Sequence, residues 1–206
     1  MARNGADGRH FVADARVRLA LVVGSAACIW DDVKVARELC TFDAVCCIKR
    51  AGIEWPEAFQ FWATLHPEMM DDFEARRKAN GLPGGYEIVA PLANEVGMHG
   101  KKGNVKHRIS YRWPGMNSSA GSGLYGAKAM IDLGYYVVLA GIPMNNEPHF
   151  LKHELWGTGD WNGLDSFLNG FEKSLPFLKD KCRSMSGRTK ELLGLPDPTW
   201  LNGVMP

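Results

Sequence analysis

Two histidines four residues apart, His149 and His153, lie in an irregular stretch from Met144 to Trp161 that also carries Glu154, Trp156 and Asp160. That interval can place both imidazoles on one helix face, as in some metal sites, but no third ligand follows at a recognisable spacing, and no metal is expected. Imidazole titrates near ~6.5, so the chemistry such a residue suits is removal of a proton from a hydroxyl. An exposed or hydrogen-bonded loop histidine is the plain alternative. Ser118, Ser119, Gly121, Ser122 and Gly123 form a loop of little bulk before an apolar helical stretch, with Ser122 placed to be its N-cap. The first turn of such a helix offers unpaired N–H groups and the positive end of the dipole, which together suit an anion. Gly24 and Ser25, with Ala26 and Ala27, make a second small-residue loop, and His66-Pro67 stands at a third strand-to-helix junction. Either small loop alone reads as a tight connection; the two together point to a nucleotide. No complete GxGxxG, P-loop, GxSxG or HExxH pattern is present.

Positioning these residues requires strands that end at one edge of a sheet. Val17–Val23, Ala44–Ile48, Phe59–Leu65, Glu87–Ala90, Tyr136–Ala140 and Cys182–Met185 read as strands, with Arg108–Arg112 as an edge strand. Helices are expected from about Asp31 or Asp32, from Pro67 through Arg77 to Gly81, from Ser122 to Gly134, from Leu164 to Phe177 and at Thr189–Leu193, before a proline-rich finish. On the third of these, Lys128 and Asp132 should mark the solvent side and Leu124, Ala127 and Ile131 the packing side. Strands alternating with helices define an α/β chain: a single-domain, Rossmann-like fold with a mainly parallel sheet and helices on both faces. Residues 1–15 are polar and glycine-containing and read as a flexible N-terminal tail before a domain over 16–206. Ligands of such sheets bind beyond the carboxyl ends of the strands, where the candidate loops fall.

Composition narrows the function classes. With 206 residues, 46% of them apolar and 23% charged, the chain can bury a substantial core. A formal charge of +1 gives no global signal for nucleic acid or for a membrane surface, and no apolar run is long enough to span a bilayer. The basic segment His99 to Arg112 could meet an anionic group or be a solvated loop face. Five cysteines without a CxxC pair argue against a zinc site and suit a reducing, cytoplasmic setting. Cys46 and Cys47 are adjacent in a strand, so they should face opposite ways.

The run GSGLYGAKAMIDLGYYVVLAGIP from Gly121 to Pro143 resembles a segment of glycosyltransferase family 42, the bacterial sialyltransferases, where a Ser-Gly-x-Tyr helix start precedes Leu-Gly-Tyr, a strand and Gly-Ile-Asp. The stretch from Pro148 to His153 resembles that family's His-Tyr-Ile-Gly-His, and SGRTKELLGLP from Ser186 to Pro196 resembles its later ending. The same loop-helix-strand pattern resembles the 6-hydroxymethylpterin diphosphokinase-like family. The resemblance implies a nucleotide or nucleotide-sugar co-substrate, with no cofactor firmly implied. It matches Ser122 and Gly123 to nucleotide-contacting residues, His153 to the base acting on an acceptor hydroxyl, Gly24 and Ser25 to the start of a Gly-Asn-Gly loop, and His66 to the neighbourhood of a strand-end asparagine. Departures are equally plain: an asparagine expected near Ile48 and Lys49 is absent, Gly-Ile-Asp is Gly141-Ile142-Pro143, and two tyrosines that contact the leaving phosphate have no counterpart in Met144 to Asn146. Lys102 or Arg112 could supply the missing charge.

Three readings follow from these residues. The first is a glycosyltransferase-like enzyme with a histidine base and an unknown acceptor. The second is a diphosphate or nucleotidyl transferase of the pterin kinase-like type, and the third a non-catalytic nucleotide-binding or assembly module. Self-association is compatible with each of them.

Overall fold

The strand–helix alternation resolves into one seven-stranded sheet in the structure, a computed structural model that describes residues 17–95, 104–114, 121–145 and 164–204. Its strands are β1 (Arg18–Val23), β2 (Ala44–Ile48), β3 (Phe61–Ala63), β4 (Glu87–Ala90), β5 (Val105–Arg108), β6 (Tyr135–Ala140) and β7 (Cys182–Ser184). They lie in the order β5-β4-β3-β2-β1-β6-β7, and every neighbouring pair is parallel. Central strands buried on both faces need continuous apolar runs, which is why β1 reads LALVV after Arg18 and β6 ends VVLA.

Parallel strands need crossovers, and the direction of travel decides which face each helix covers. The chain first moves outward from β1, placing α1 (Ile29–Leu39), α2 (Ala51–Glu54) and α3 (Met70–Ala79) on one face, the last entered through a 3-10 turn at Pro67–Met69. It then returns past β1 to β6, placing α4 (Ser122–Asp132) and α5 (Leu164–Leu178) on the other. After β7, α6 (Gly187–Leu193) packs on the α4 side and α7 (Pro198–Val204) on the α1 side. Cys46 and Cys47 do face opposite clusters, and both are fully buried. Burial pushes the Cys46 thiol up to about 12 and Cys47 well above its ordinary value, so neither is poised as a nucleophile.

Several elements differ from the sequence expectation. β3 is only Phe61–Ala63, because Phe59 instead stacks on Tyr86 at 4.9 Å within the core. The edge strand is Val105–Arg108 rather than Arg108–Arg112. The Glu95 carboxylate turns the following residues away from the sheet, accepting from Ser110 Oγ at 2.5 Å and from the Tyr111 N–H at 2.9 Å. α1 begins at Ile29, slightly before the two aspartates, and the short helix α2 follows β2 directly. The proline-rich finish contains α7, where Asp197 Oδ1 accepts the Trp200 N–H at 2.8 Å and Pro198 takes the first helical position.

Lys128 is not on a solvent side. Every residue from Leu124 to Ile131 is buried, because α4 lies between the sheet, α5 and the segment after β5. Lys128 is 5% exposed, and its ammonium bonds Asp132 at 2.5 Å and lies 5.0 Å from the Trp113 ring centre. Among the described residues no helix is long and apolar enough to cross a membrane.

One buried guanidinium ties the α1-side layer together. Arg77, 1% exposed, donates to the carbonyls of Pro83 at 2.7 Å, Gly52 at 2.8 Å, Trp55 at 2.6 Å and Glu57 at 2.9 Å. Arg77→Met would leave those acceptors without their donor and should cost about 3–5 kcal/mol in urea unfolding, with Arg77→Lys recovering little because an ammonium cannot reproduce the planar fork.

Candidate functional site

Strand order reverses beside β1: its next strand in sequence, β2, lies on one side, and β6, reached from the far edge of the sheet, lies on the other. A crevice beyond the carboxyl ends of β1 and β6 is therefore the expected ligand position. The registers bring Val23 opposite both Ala140 on β6 and Cys47 on β2, so Gly24 and Gly141 emerge side by side.

The two exits are in direct backbone contact. Gly24 N–H donates to Ala140 O at 2.8 Å and Ala26 N–H to Gly141 O at 3.1 Å. A Cβ on Gly24 would lie 2.3 Å from Gly141 O and 2.4 Å from Ile142 Cγ1, so no larger residue fits without moving β6's exit. On the α4 side, a Cβ on Gly123 would meet Ile142 Cγ2 at 2.8 Å. The first small loop and the start of α4 thus converge on the 141–143 turn. Ser122 is the first helical residue rather than the cap: Gly121 enters extended, and its carbonyl accepts the Leu124 and Tyr125 N–H groups at 3.1 and 3.3 Å.

A buried carboxylate that sequence reasoning passed over locks this corner. Asp32, 7% exposed, accepts the Gly141 N–H at 2.8 Å and the Ser186 hydroxyl at 2.6 Å on the same oxygen. Because the Ser186 proton goes to Asp32, the Cys28 thiol is the donor in the 3.4 Å contact between Cys28 Sγ and Ser186 Oγ. Pro143 is held by α6: Thr189 N–H reaches Pro143 O at 3.4 Å, and Thr189 Oγ1 donates to Ile142 O at 2.6 Å. A Cβ on Gly187 would sit 2.4 Å from Pro143 Cβ. The place where the resemblance breaks, Gly141-Ile142-Pro143, is thus filled by packing against β7 and α6.

Two non-glycine residues among those described have left-handed backbone, Lys49 at φ +47° and Met144 at φ +51°, and both follow strands at this edge. His66 is at the same edge but two strands from β1, about 10 Å away by strand spacing. Its backbone N–H donates to Thr64 Oγ1 at 2.9 Å, and Nδ1 pairs with Glu68 at 3.0 Å, so it is not brought to the crevice. Ser119, His149 and His153 lie outside the described residues, as do Ser118, His99, Lys101 and Lys102. Arg112 is described and lies elsewhere. It lines a cleft of about 670 Å³ with Lys128, Asp132 and Phe177, toward the end of α4 remote from Ser122. Among the described residues no group of three His, Cys, Asp or Glu side chains is assembled to hold a metal ion.

The chain matches solved structures of a sialyltransferase in fold. It aligns with CST-II in complex with a trisaccharide acceptor and CMP at TM-score 0.58 and 13% identity, over 86% of each chain. It aligns with CstII from Campylobacter jejuni in complex with the substrate analogue CMP-3FNeuAc at TM-score 0.56 and 12% identity, over 88% of this chain and 87% of the other. A tyrosine-to-phenylalanine variant of CST-II in complex with CMP gives TM-score 0.59 at 13% identity over the same shares. No protein-family model matches the chain, and no curated protein matches it by sequence. The fold is that of these glycosyltransferases, an α/β Rossmann-like sheet.

Asp32→Ala would strand two donors and should lower unfolding free energy by about 2–4 kcal/mol, whereas Ser186→Ala, which leaves the Gly141 contact intact, should cost about 1 kcal/mol in the same urea titration. Gly24→Ala meets backbone rather than a flexible side chain and should cost about 1–3 kcal/mol.

Proposed function

We propose that the chain is a glycosyltransferase-like enzyme whose co-substrate is a nucleotide sugar, with the nucleotide seated in the crevice between β1 and β6. What carries this reading is the contact of Gly24 with Gly141 and Ile142 at the point where strand order reverses. It leaves backbone, rather than side chains, facing the ligand, in a fold shared with structures that hold CMP. In the proposed arrangement Gly24 and Ser25 lie on one side of the nucleotide. Ser119, Gly121, Ser122 and Gly123 lie on the other, where the unpaired N–H groups at the start of α4 meet phosphate oxygens.

His153 is proposed as the base, with His149 beside it in sequence. The acceptor hydroxyl oxygen forms a bond to the anomeric carbon of the sugar as the bond from that carbon to the phosphate oxygen breaks. The electron pair leaves with the nucleotide phosphate, and the hydroxyl proton passes to His153. His66, at the outer strand end, has no part in this step. No observation favours diphosphate transfer over this reading.

Calorimetry and thermal shift with cytidine, uridine, guanosine and adenosine monophosphates and their sugar conjugates test the proposal. At least one should bind and raise the melting temperature; if none does, the reading is wrong. His153→Ala should keep that binding and slow sugar transfer by about 10²–10⁴-fold. Binding with no transfer to any acceptor in the unmodified protein would make the chain a binding module instead.

A further inference from the structure

We propose that the cleft formed by α4, α5 and the segment after β5 is a second binding site, which takes a small organic monoanion: a carboxylate carried on a flat ring. The carboxylate meets the Arg112 guanidinium, and the ring lies against Phe177 and Pro114. The site is separate from the β1/β6 crevice and does not rest on the nucleotide reading. Ser122 and Asp132 are the two ends of α4, about 15 Å apart by helical rise.

The charges that line the cleft do not cancel. Lys128, 5% exposed, gives its ammonium to Asp132 Oδ2 at 2.5 Å, so that pair is neutral overall. Arg112 is exposed, and among the described residues its guanidinium has no hydrogen bond and no ion pair, only the Tyr111 ring centre 4.7 Å away. The Glu95 carboxylate, which approaches the same segment, is taken up by Ser110 Oγ and the Tyr111 N–H, one oxygen each. One uncompensated cation is left, with its planar N–H fork unused, and a carboxylate is the acceptor that fork fits.

Apolar surface lies beside that charge. Phe177 is 37% exposed in the last turn of α5, although it stacks on Trp113 with ring centres 4.9 Å apart and planes 5° from parallel. A stack engages one face of a ring, so what remains exposed is the other face and the edge. Trp113 is 7% exposed and has the Lys128 ammonium 5.0 Å from its ring centre, which anchors the stack to α4. Pro114, also exposed, extends the apolar wall. A cleft of about 670 Å³ with apolar walls and a few polar groups suits a small organic molecule.

The same charges select against a zwitterion. Among the described residues only one Asp132 oxygen is occupied, by Lys128, and the other can accept from a hydroxyl, whereas an ammonium there would add a second cation beside Lys128. A ring-borne carboxylate can be an aromatic acid or a sugar acid, and only the sugar acid brings hydroxyls for Asp132.

Calorimetry on the full chain tests the site with phenylacetate and glucuronate, their neutral counterparts phenylacetamide and glucose, and phenylalanine as the zwitterion. At least one of the two carboxylates should bind, and should bind Arg112→Gln at least about tenfold more weakly. That exposed position should accept glutamine without a change in melting temperature. Phe177→Ala should also weaken the ligand. Binding of glucuronate alone makes the ligand a saccharide, binding of phenylacetate alone makes it an aromatic acid, and binding of both makes the carboxylate and ring sufficient. The site is overturned if neither carboxylate binds, if the neutral counterpart or phenylalanine binds as well as the carboxylate, or if Arg112→Gln binds like the unmodified protein. Displacement of the carboxylate by cytidine monophosphate would place it in the crevice and overturn the site too.

Discussion

The Asp32 carboxylate is the constraint on which the functional edge depends. It belongs to the first helix, yet its two acceptor contacts reach 109 and 154 residues along the chain, to the exit of β6 and the entry of α6. A buried carboxylate must have donors, and the Gly141 N–H, turned inward by its left-handed backbone at φ +64°, must have an acceptor. Each need answers the other. The same corner continues through Thr189, which bonds the Ile142 carbonyl and, at 2.8 Å, the Ser184 hydroxyl. The connections after β1, β6 and β7 are thereby stitched into one polar, mostly buried unit. Coupled hydrogen bonds of this kind favour a single arrangement, because losing one member strands the others.

A corner fixed in this way presents main chain to the crevice. The glycine at 24 leaves no side chain between the β1 exit and whatever lies above it, and the glycine at 123 lets α4 settle against Ile142. The start of α4 then contributes about half a positive charge from its aligned peptide dipoles. Dipoles of this strength are screened by water and fade within a turn, so a ligand with a full phosphate charge gains from a formal cation as well. Arg112 does not provide it, being committed to the cleft beside Lys128 and Asp132. At the end of β2 the like-charged neighbours Lys49 and Arg50 stand together, but Lys49 is bonded toward β3 and its acidic neighbour is Glu68, the partner of His66.

Much of this was legible in the sequence, and what was not has a common cause. The central strands announced themselves as apolar runs, Gly134 ended α4 with φ +84°, and the small residues around Gly24 and Gly123 marked the strand-to-helix turns that meet at the crevice. Asp32 was read as an aspartate suited to a helix start because its partners lie over a hundred residues away, and nothing local distinguishes it from exposed Asp31. Lys128 and Asp132 have the spacing of a surface ion pair, but the segment carrying Trp113 folds over them, a contact no periodicity encodes. The strain at Lys49 is likewise imposed from outside, by Trp62 and Gly52 closing on its carbonyl. By contrast α7 had a local signature in Asp197-Pro198 that the neighbouring prolines obscured.

A fold held in common at 12–13% identity is compatible with the backbone-built site proposed above. Where N–H groups and helix ends meet the ligand, the sequence has only to preserve close approach, and glycine at one or two positions is enough for that. Side chains that add charge or move protons are under no such restraint and can be exchanged without disturbing the sheet. Here the position after Gly141-Ile142 has been given to packing, with Pro143 pressed against Gly187, and a lysine occupies the end of β2 at some conformational cost. These two features act on opposite sides of β1: one leaves the turn after β6 without a polar side chain, and the other sets a cation one strand beyond β1. The physical consequence is that the turn after β6 offers backbone and apolar surface, so that in the proposed arrangement an anionic group is left to the N–H groups at the start of α4.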